Sequence, residues 1–205
     1  MAEPPVHRPY RGKRLFDLVA GVCGVGLSGP LWPVLALAVR LDSPGPVLFR
    51  AQRIGRDGRP FTLLKFRTMR TEPGEGLAVT RSGDPRITRS GRLLRLTKFD
   101  ELPQLINVIR GDMSIVGPRP EDPKYVARYD ERQRAVLRAR PGITGAAAVA
   151  YRHEEALLAA AADPEKFYVE QVMPAKLALE LAYVSAPSLR ADLRLIVETA
   201  LAIVR

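Results

Sequence analysis

Cysteine and histidine are nearly missing from this sequence of 205 residues, which has one cysteine, Cys23, and two histidines, His7 and His153. One cysteine excludes an intramolecular disulfide and a metal site built from several thiolates. Two histidines exclude a histidine-rich metal centre and argue against a Ser–His–Asp hydrolase. Any metal ion would therefore be held mainly by oxygen ligands, which favours Mg²⁺.

Acidic residues are fewer than basic ones, and the formal net charge is +10 at pH 7. This balance favours an anionic partner, which can be nucleic acid, anionic lipid or a phosphorylated substrate. An arginine-rich genome explains scattered surface arginines well and clustered ones less well. The length and the apolar fraction of 46% indicate one compact domain, or a small domain with a membrane element.

Charge is absent altogether between Asp17 and Arg40. As a helix this apolar segment would be about 33 Å long at roughly 1.5 Å per residue, just enough to cross a hydrocarbon core of about 30 Å. A cleaved signal peptide has a shorter apolar core and a small-residue cleavage site, whereas residues 43–46 read Ser-Pro-Gly-Pro. We therefore expect a segment embedded in the membrane.

Two features argue against a simple transmembrane helix. Gly29, Pro30 and Pro33 lie in the middle of the segment, where they break or sharply bend a helix. Both flanks are basic, whereas basic residues collect on the cytoplasmic side of a spanning helix. We predict a re-entrant helix–break–helix at Ser28 and Pro30, in which the Ser28 hydroxyl bonds a freed backbone group. A kinked spanning helix and a buried core hairpin remain alternatives.

The rest of the chain is predicted to be mainly α-helical with one small antiparallel β-hairpin. Residues 47–53 and 60–67 form its strands, around a turn at 55–58. The C-terminal helix has an apolar stripe from Leu189 to Val204, which can pack on the core or lie in the membrane interface. The other predicted segments are a loop at 71–85, helices at 90–98, 100–110 and 122–139, and an alanine-rich insertion at 155–163.

Two adjacent carboxylates, Asp100 and Glu101, are the first candidates for chemistry. Because proline is well tolerated only in the first turn of a helix, Pro103 places a helix start near Asp100, which then suits the N-cap position. Capping alone would explain an isolated motif of this kind. Here arginines recur upstream and a helix start attracts phosphate, so the pair suits a Mg²⁺ and phosphoryl site with a carboxylate nucleophile. The arginines are Arg86, Arg89, Arg92 and Arg95.

Three further cations fit such a site. Lys65 and Arg67 lie on one side of the second predicted strand, and Arg119 stands between two prolines that limit its backbone freedom. The arginine guanidinium matches phosphate oxygens as a bidentate fork. Each cation alone would more often form a surface salt bridge, but together, around a dicarboxylate, they favour phosphate binding.

Six motifs give the sequence a resemblance to the bacterial sugar transferases, also called monotopic phosphoglycosyl transferases. The resemblance runs from about Lys13 to the end of the chain, and the order and spacing of the motifs make it specific. The sequence resembles the minimal catalytic form, without the additional N-terminal spanning helices of larger relatives. The motifs are KRLFD at 13–17, DSPGPV at 42–47, KFRTM at 65–69, DELPQL at 100–105, GDMSIVGPRP at 111–120 and RPGITG at 140–145.

This resemblance implies an architecture and a location. We expect a re-entrant membrane helix, interfacial amphipathic helices and a mainly helical catalytic head on the cytoplasmic face of the bacterial inner membrane. The corresponding segments are an N-terminal tail at 1–12, a re-entrant helix hairpin at 13–42 and a catalytic transferase domain at 43–205.

The resemblance also implies a reaction. Asp100 would attack the β-phosphate of a UDP-sugar, release UMP and carry a covalent sugar phosphate, which undecaprenyl phosphate then accepts in the first membrane step of a glycoconjugate pathway. Glu101 would act as a base or share a Mg²⁺ ion with Asp100. The substrate and its phosphates would be held by Lys65, Arg67, Arg95, Gln104 and Arg119.

The sequence departs from the family pattern at two places. Gly29 separates Ser28 from Pro30, which are adjacent in many relatives, and residues 148–152 read AVAYR where many relatives have a Gln-Val-x-Gly-Arg run. An insertion near 153–168 follows. Because this region is expected to face the sugar or the uridine, the sequence does not identify the donor. It also leaves a homo-oligomer open.

Three other functions are compatible with parts of the sequence. The net charge allows a nucleic-acid-binding module, although the chain has no recognisable nucleic-acid motif and the apolar segment has no role in one. A catalytically silent membrane scaffold of the same family is a second alternative, against which the intact Asp100–Glu101 pair argues. A different transferase that uses the same lipid acceptor is the third.

Overall fold

A computed structural model describes residues 8–70 and 84–204, with side chains as far as residue 202. The described chain is mainly helical and has a small antiparallel hairpin, which confirms the fold class expected from the sequence. The expected loop at 71–85 lies almost wholly outside the described residues. The helices are α1 (Lys13–Ser28), α2 (Trp32–Asp42), α3 (Arg89–Thr97), α4 (Gln104–Arg110), α5 (Pro123–Val126), α6 (Ala146–Ala150), α7 (Glu154–Ala159), α8 (Pro164–Phe167), α9 (Met173–Ser185) and α10 (Leu189–Val204), and the strands are β1 (Leu48–Ile54), β2 (Pro60–Phe66), β3 (Ser114–Val116) and β4 (Gly142–Thr144).

The apolar N-terminal segment forms α1 and α2, which are joined by a 3-10 turn, Gly29–Leu31. The Ser28 hydroxyl donates a hydrogen bond to the Gly24 carbonyl at 2.7 Å and accepts one from the Trp32 indole N–H at 3.0 Å. An interruption is therefore present at Ser28 and Pro30, and the Ser28 hydroxyl bonds a backbone carbonyl beside it. One turn of 3-10 helix replaces the α-helical geometry there.

Both halves of this segment pack against the rest of the protein. A Cβ at Gly24 of α1 would lie 3.0 Å from a methyl carbon of Leu105 in α4, so glycine lets the two helices approach closely. Trp32 of α2 meets Phe66 of β2 edge-on, with ring centroids 6.1 Å apart. The helical stretch Lys13–Asp42 is apolar and long enough to cross a membrane by length and composition, yet it contacts the same body on both sides of its interruption.

The hairpin has the predicted position. β1 and β2 pair antiparallel, with Leu48 opposite Phe66 at the open end. Their connecting turn places Asp57 and Gly58 in the left-handed region, at φ 59° and 74°, which glycine adopts without steric cost and aspartate tolerates. This geometry brings the end of β2, with Lys65, beside the chain that precedes α4.

A second sheet, which the sequence did not predict, joins two of the motifs. β3 and β4 pair in parallel, with Ser114 opposite Gly142 and Val116 opposite Thr144. Strands of three residues carry no alternation pattern that could reveal them. The pairing places the loops that follow the two strands at one edge of the molecule.

The predicted helix at 122–139 is wrong in its middle. α5 ends at Val126, and a separate 3-10 helix follows at Gln133–Arg138. The Asp130 N–H donates to Gln133 Oε1 at 3.0 Å, and the Gln133 N–H donates to Asp130 Oδ1 at 2.7 Å. These reciprocal bonds form a capping box, which starts a new helical turn instead of continuing the old one.

Lys13 joins the first helix to the last. Its Nζ lies 2.7 Å from Asp192 Oδ2 of α10 and 3.3 Å from Asp17 Oδ1, and it donates to the Val116 carbonyl at 3.0 Å. The Tyr183 hydroxyl donates to the other Asp192 oxygen at 2.7 Å. Both carboxylates are almost fully buried, and the Lys13 ammonium between them compensates their charge.

Candidate active site

One lysine lies beside both carboxylates of the predicted centre. Lys65 of β2 donates a hydrogen bond from Nζ to Glu101 Oε1 at 2.7 Å, and the same Nζ lies 3.9 Å from Asp100 Oδ2. The side chains of the two carboxylates are largely shielded from solvent. Residues far apart in sequence thus meet where a positive and two negative groups share a small volume.

The backbone before Asp100 is strained. Lys98 adopts the left-handed conformation, with φ 60° and ψ 15°, and ends α3 by donating its N–H to the Arg95 carbonyl. A non-glycine residue pays roughly 1–2 kcal/mol there. A 3-10 turn, Phe99–Glu101, begins at once, so Asp100 lies inside a turn and the expected N-cap role of Asp100 is wrong. The sharp reversal leaves no extended residue in which a capping aspartate could sit.

One oxygen of Asp100 has no compensating contact. Asp100 is 7% exposed, and its Oδ1 is buried without a hydrogen-bond partner among the described residues. A buried carboxylate oxygen of this kind is unfavourable in a folded protein unless a ligand supplies its partner. Together with the strained turn, this makes Asp100 a candidate for reaction or for ligand binding.

The two carboxyl groups are electrostatically unlike. Burial raises the pKa of Asp100, and the neighbouring Lys65 ammonium only partly offsets this rise. Burial also acts to raise the pKa of Glu101, but Lys65, Arg119 and Lys98 outweigh it and lower that pKa to about 2. Glu101 is therefore the permanent anion of the pair, while Asp100 is the more basic carboxylate, and such a division suits two different chemical roles.

Arg119 belongs to the same centre through its charge. It follows β3 in the loop that begins at Gly117, and it is one of the cations that hold the pKa of Glu101 low. Its side chain is exposed, as a group that meets a soluble phosphate should be. The predicted neighbourhood of Lys65, Arg119 and the dicarboxylate is thus present in the structure.

Arg95 acts on Asp100 through its charge, while its guanidinium is paired with Glu155, a residue that the sequence pattern did not indicate. It contributes to the electrostatics of Asp100, and its guanidinium is hydrogen-bonded to Glu155 of α7. The neighbouring Glu154 binds the buried Lys176 of α9 at 2.7 Å. The insertion after residue 152 therefore places two adjacent carboxylates against two cations beside the site.

Two other predicted residues are engaged elsewhere or buried. The Arg67 guanidinium is buried and donates to the carbonyls of Pro44 and Ser43 at 2.6 and 2.7 Å, just after the end of α2. It thereby ties the apolar N-terminal segment to the hairpin. Gln104, at the start of α4, is 3% exposed.

Helices α1, α2 and α10 expose large apolar side chains to solvent. α1 and α2 expose Leu27, Val34 and Leu41, among others. One side of α10 packs on the core through Leu195 and Ile196, while its other side exposes four apolar residues at spacings of four. The apolar residues of α10 thus divide into a side that packs on the core and a side that is exposed. The exposed residues are Leu189, Leu193, Val197 and Leu201.

A buried glutamate near the centre was missed by the sequence analysis. Glu180 of α9 is 3% exposed and accepts hydrogen bonds from the backbone N–H groups of Arg119 and Ala147, both at 3.3 Å. It stands in an ordinary helical stretch, with no neighbouring motif to indicate it. Its partners lie tens of residues away in sequence, so no local signal could have found them.

Comparison with known proteins identifies the family of this chain. Residues 9–205 match the family model described as "Bacterial sugar transferase". Over 192 residues the chain is 43% identical to the UDP-glucose:undecaprenyl-phosphate glucose-1-phosphate transferase of Caulobacter vibrioides, a match that covers 91% of this chain and 67% of the relative. It is 38% identical to the UDP-N-acetylgalactosamine-undecaprenyl-phosphate N-acetylgalactosaminephosphotransferase of Aeromonas hydrophila, covering 77% of this chain and 37% of that relative. The UDP-glucose:undecaprenyl-phosphate glucose-1-phosphate transferase of Escherichia coli is 43% identical, covering 65% and 30%.

A lysine-bound dicarboxylate surrounded by arginines, in a chain with such relatives, defines a phosphoglycosyl transferase. The motifs that carry the site all fall inside the matched range. The chain belongs to the bacterial sugar transferase family.

Proposed function

We propose that this protein transfers a sugar 1-phosphate from a UDP-sugar to undecaprenyl phosphate and releases UMP. The observation that carries the proposal is the Asp100–Glu101 pair beside Lys65, with one Asp100 oxygen unpartnered among the described residues. The relatives named for such reactions support the donor and acceptor classes. Which sugar the donor carries is left to experiment.

The first half of the reaction uses Asp100 as nucleophile. An Asp100 carboxylate oxygen forms a bond to the β-phosphorus of the donor, the bond from that phosphorus to the bridging oxygen breaks, and UMP leaves. Asp100 suits this role because it is the more basic carboxylate of the pair and its Oδ1 is uncompensated. Lys65 and Arg119 offset the negative charge of the donor phosphates.

The second half regenerates the carboxylate. A phosphate oxygen of undecaprenyl phosphate bonds to the same phosphorus, the acyl phosphate bond to Asp100 breaks, and the sugar leaves on a polyprenyl diphosphate. Glu101 stays anionic throughout because its pKa is lowered to about 2 by the cations that outweigh its burial. It thereby holds the Lys65 ammonium in place for both halves.

Mg²⁺ fits this site as a partner of the substrate phosphates. In the described part of the chain no cluster of three or more His, Cys, Asp or Glu side chains could hold a metal alone. Glu101 and the Asp100 oxygen that does not attack phosphorus would supply carboxylate oxygens, and phosphates and water would complete the shell, as Mg²⁺ commonly requires. A bound Mg²⁺ would neutralise charge on the diphosphate and make UMP a better leaving group.

The membrane segment is proposed to enter and leave on the cytoplasmic face. Gly24 and Trp32, on either side of the 3-10 turn, both contact the head that includes residues 43–205. The helix between these two contacts is about 12 Å long at 1.5 Å per residue, far less than the roughly 30 Å of a hydrocarbon core. A shallow re-entrant segment at 13–42, after a tail at 1–12, satisfies both contacts.

The exposed face of α10 is proposed to lie in the membrane interface beside this segment. Its apolar residues recur every four positions, while Arg190 and Arg194 on the same helix are exposed and can reach lipid headgroups. An acceptor whose phosphate lies at the headgroup level would then meet the dicarboxylate without leaving the bilayer.

The reaction is tested by UMP release. Detergent-purified protein is incubated with Mg²⁺ and a panel of UDP-sugars, with and without undecaprenyl phosphate. We expect UMP and a lipid-linked sugar diphosphate from one or two donors, with turnover only when the lipid is present. UMP release from no donor of the panel would contradict the proposal.

The topology is tested by cysteine labelling in the Cys23→Ser background. Arg11→Cys and Arg50→Cys place one thiol on each flank of the membrane segment. A membrane-impermeant maleimide should label both only after the cells are opened. Labelling of one of the two in intact spheroplasts would indicate a spanning helix instead.

A further inference from the structure

The loop after β3 is held against strand β4 by backbone contacts. The Gly117 N–H donates to the Thr144 carbonyl at 2.9 Å, and the Gly142 N–H donates to the Pro118 carbonyl at 2.8 Å. A Cβ at Gly117 would collide with the Arg140 carbonyl oxygen, and one at Gly142 would collide with the Gly117 nitrogen, so both positions require glycine. The chain therefore reaches Arg119 from a rigid base.

Beyond this base, the next contact of the loop is made by the side chain of Glu180. Glu180 Oε1 accepts the backbone N–H of Arg119 and that of Ala147 in α6, so the carboxyl group links the loop after β3 to the first turn of α6. Glu180 Oε2 is buried and has no hydrogen-bond partner among the described residues. Among the described residues no other side chain hydrogen-bonds these two N–H groups, so Glu180 is the side chain that joins the two backbone segments.

We infer that Glu180 is a positioning residue of the transfer reaction, which fixes the backbone of Arg119 and thereby aims its guanidinium at the donor phosphates. The inference rests on the proposed function, in which Arg119 binds those phosphates. Glu180 itself touches no reacting atom in this scheme. It acts through Arg119 and through the start of α6, the helix in which the chain departs from the family pattern.

The surroundings of Glu180 bring its pKa into the range where the side chain gains or loses a proton near neutral pH. Burial raises the pKa of Glu180 to about 7, although the two N–H donors and the charges of Lys176 and Arg119 act to lower it. The same cavity is lined by Tyr129, Tyr168 and Glu121, and the Tyr168 hydroxyl is hydrogen-bonded to Glu121. Ionised Glu180 accepts the Arg119 N–H more strongly than neutral Glu180 does, because charged acceptors form the stronger hydrogen bonds.

Two substitutions of similar size separate positioning from simple packing. Glu180→Gln keeps an acceptor oxygen for both N–H groups, whereas Glu180→Leu fills the space without one. We expect the Gln variant to keep donor kcat/KM within about threefold of the parent, and the Leu variant to lose roughly 10- to 100-fold. Equal losses in the two variants would overturn the inference, as would no loss in the Leu variant.

A double-mutant cycle tests whether Glu180 affects activity through Arg119. In an Arg119→Ala background, Glu180→Leu should cost less than about threefold more, because the group that it positions is already gone. Losses that multiply fully would show that Glu180 acts without Arg119 and would overturn the inference. Melting temperatures in detergent, measured for every variant, separate these effects from unfolding.

The pH dependence gives a readout that remains even if Glu180→Leu does not fold. Labelling of the protein by donor alone is followed from pH 5.5 to 8.5, so titration of the lipid phosphate plays no part. The parent rate should rise with an inflection near pH 7, and Glu180→Gln should lack that inflection while sharing any contribution from Asp100. Identical profiles would overturn the inference. Failure of the proposed function is seen separately, as absence of labelling in the parent protein.

Discussion

The Lys65 ammonium lies 2.7 Å from Glu101 Oε1 and 3.9 Å from Asp100 Oδ2, so its hydrogen bond goes to the neighbour of the proposed nucleophile and not to the nucleophile itself. This arrangement keeps one anion permanently paired. It leaves Asp100 close enough to a cation to remain ionisable, and still free to form a bond to phosphorus.

Removal of the nucleophile should abolish covalent labelling. Asp100→Asn keeps the shape of the side chain but removes the anionic oxygen, so no labelled sugar phosphate should remain on the protein after denaturation. Glu101→Gln is the matched control, because it changes the adjacent carboxyl group and should slow labelling without preventing it. Labelled Asp100→Asn protein would show that another residue is the nucleophile.

Lys65→Met should weaken both activity and stability, in a pH-dependent way. The folded-state pKa of Glu101 is lowered from 4.5 to about 2, by Lys65 together with Arg119 and Lys98 against the effect of burial, so its stabilising contribution exists above pH 4.5 and is lost as pH falls towards 2. We expect the variant to be less stable by about 1–3 kcal/mol at pH 7, with a deficit that shrinks on acidification.

Thermal unfolding in detergent between pH 2 and 7 measures this deficit. Arg50→Met, which removes an exposed cation from the neighbouring strand, is the control and should show no such pH-dependent difference. A deficit that stays constant with pH would assign it to packing and not to the Glu101 charge.

Glu155→Gln should strengthen donor binding. The Arg95 guanidinium is hydrogen-bonded to Glu155, and this bond must break before Arg95 can bind a phosphate of the donor. Loss of the competing anion should lower the KM for the UDP-sugar by roughly three- to tenfold, with a stability change below about 0.5 kcal/mol, as expected for an exposed ion pair.

Glu165→Gln is the matched control for that variant. It breaks the Lys124 pair on the same insertion, at 2.9 Å and with both side chains similarly exposed, but away from Arg95. A raised KM in Glu155→Gln would mean that Glu155 holds Arg95 ready for the donor instead of competing with it.

Polar substitutions on α10 should loosen membrane attachment. Leu193→Ser with Val197→Ser removes two half-exposed apolar side chains, and the loss of about 1–2 kcal/mol of apolar burial should weaken binding to anionic vesicles by roughly tenfold. Ala200→Ser on the same helix is the control. Vesicle flotation that is unchanged by the double substitution would place this face outside the interface.

Local chemistry explains what the sequence could reveal. The carboxylates Asp100 and Glu101 are adjacent, and the hairpin turn is rich in glycine. The interruption at Ser28 and Pro30 follows from the helix-breaking residues at that place in the sequence. Each of these features depends on a few consecutive side chains, so each could be read without knowledge of the fold.

The features that escaped prediction depend on partners distant in sequence. Arg67 looked like a phosphate ligand because its neighbours matched a motif, but the carbonyls that occupy it belong to residues more than twenty positions earlier. Glu180 had no local signal at all, since its partners are backbone groups of the loop after β3 and of α6. The capping role assigned to Asp100 failed because the left-handed turn at Lys98 could not be foreseen from its residue type.

The bond between Lys13 and Asp192 joins positions separated by 179 residues. During synthesis the N-terminal helix emerges long before its carboxylate partner Asp192 has left the ribosome. Lys13 then has only Asp17 of this pair of carboxylates, so closure of the head waits for nearly the whole chain. A truncated or stalled product would thus contain the first helix but could not complete the fold.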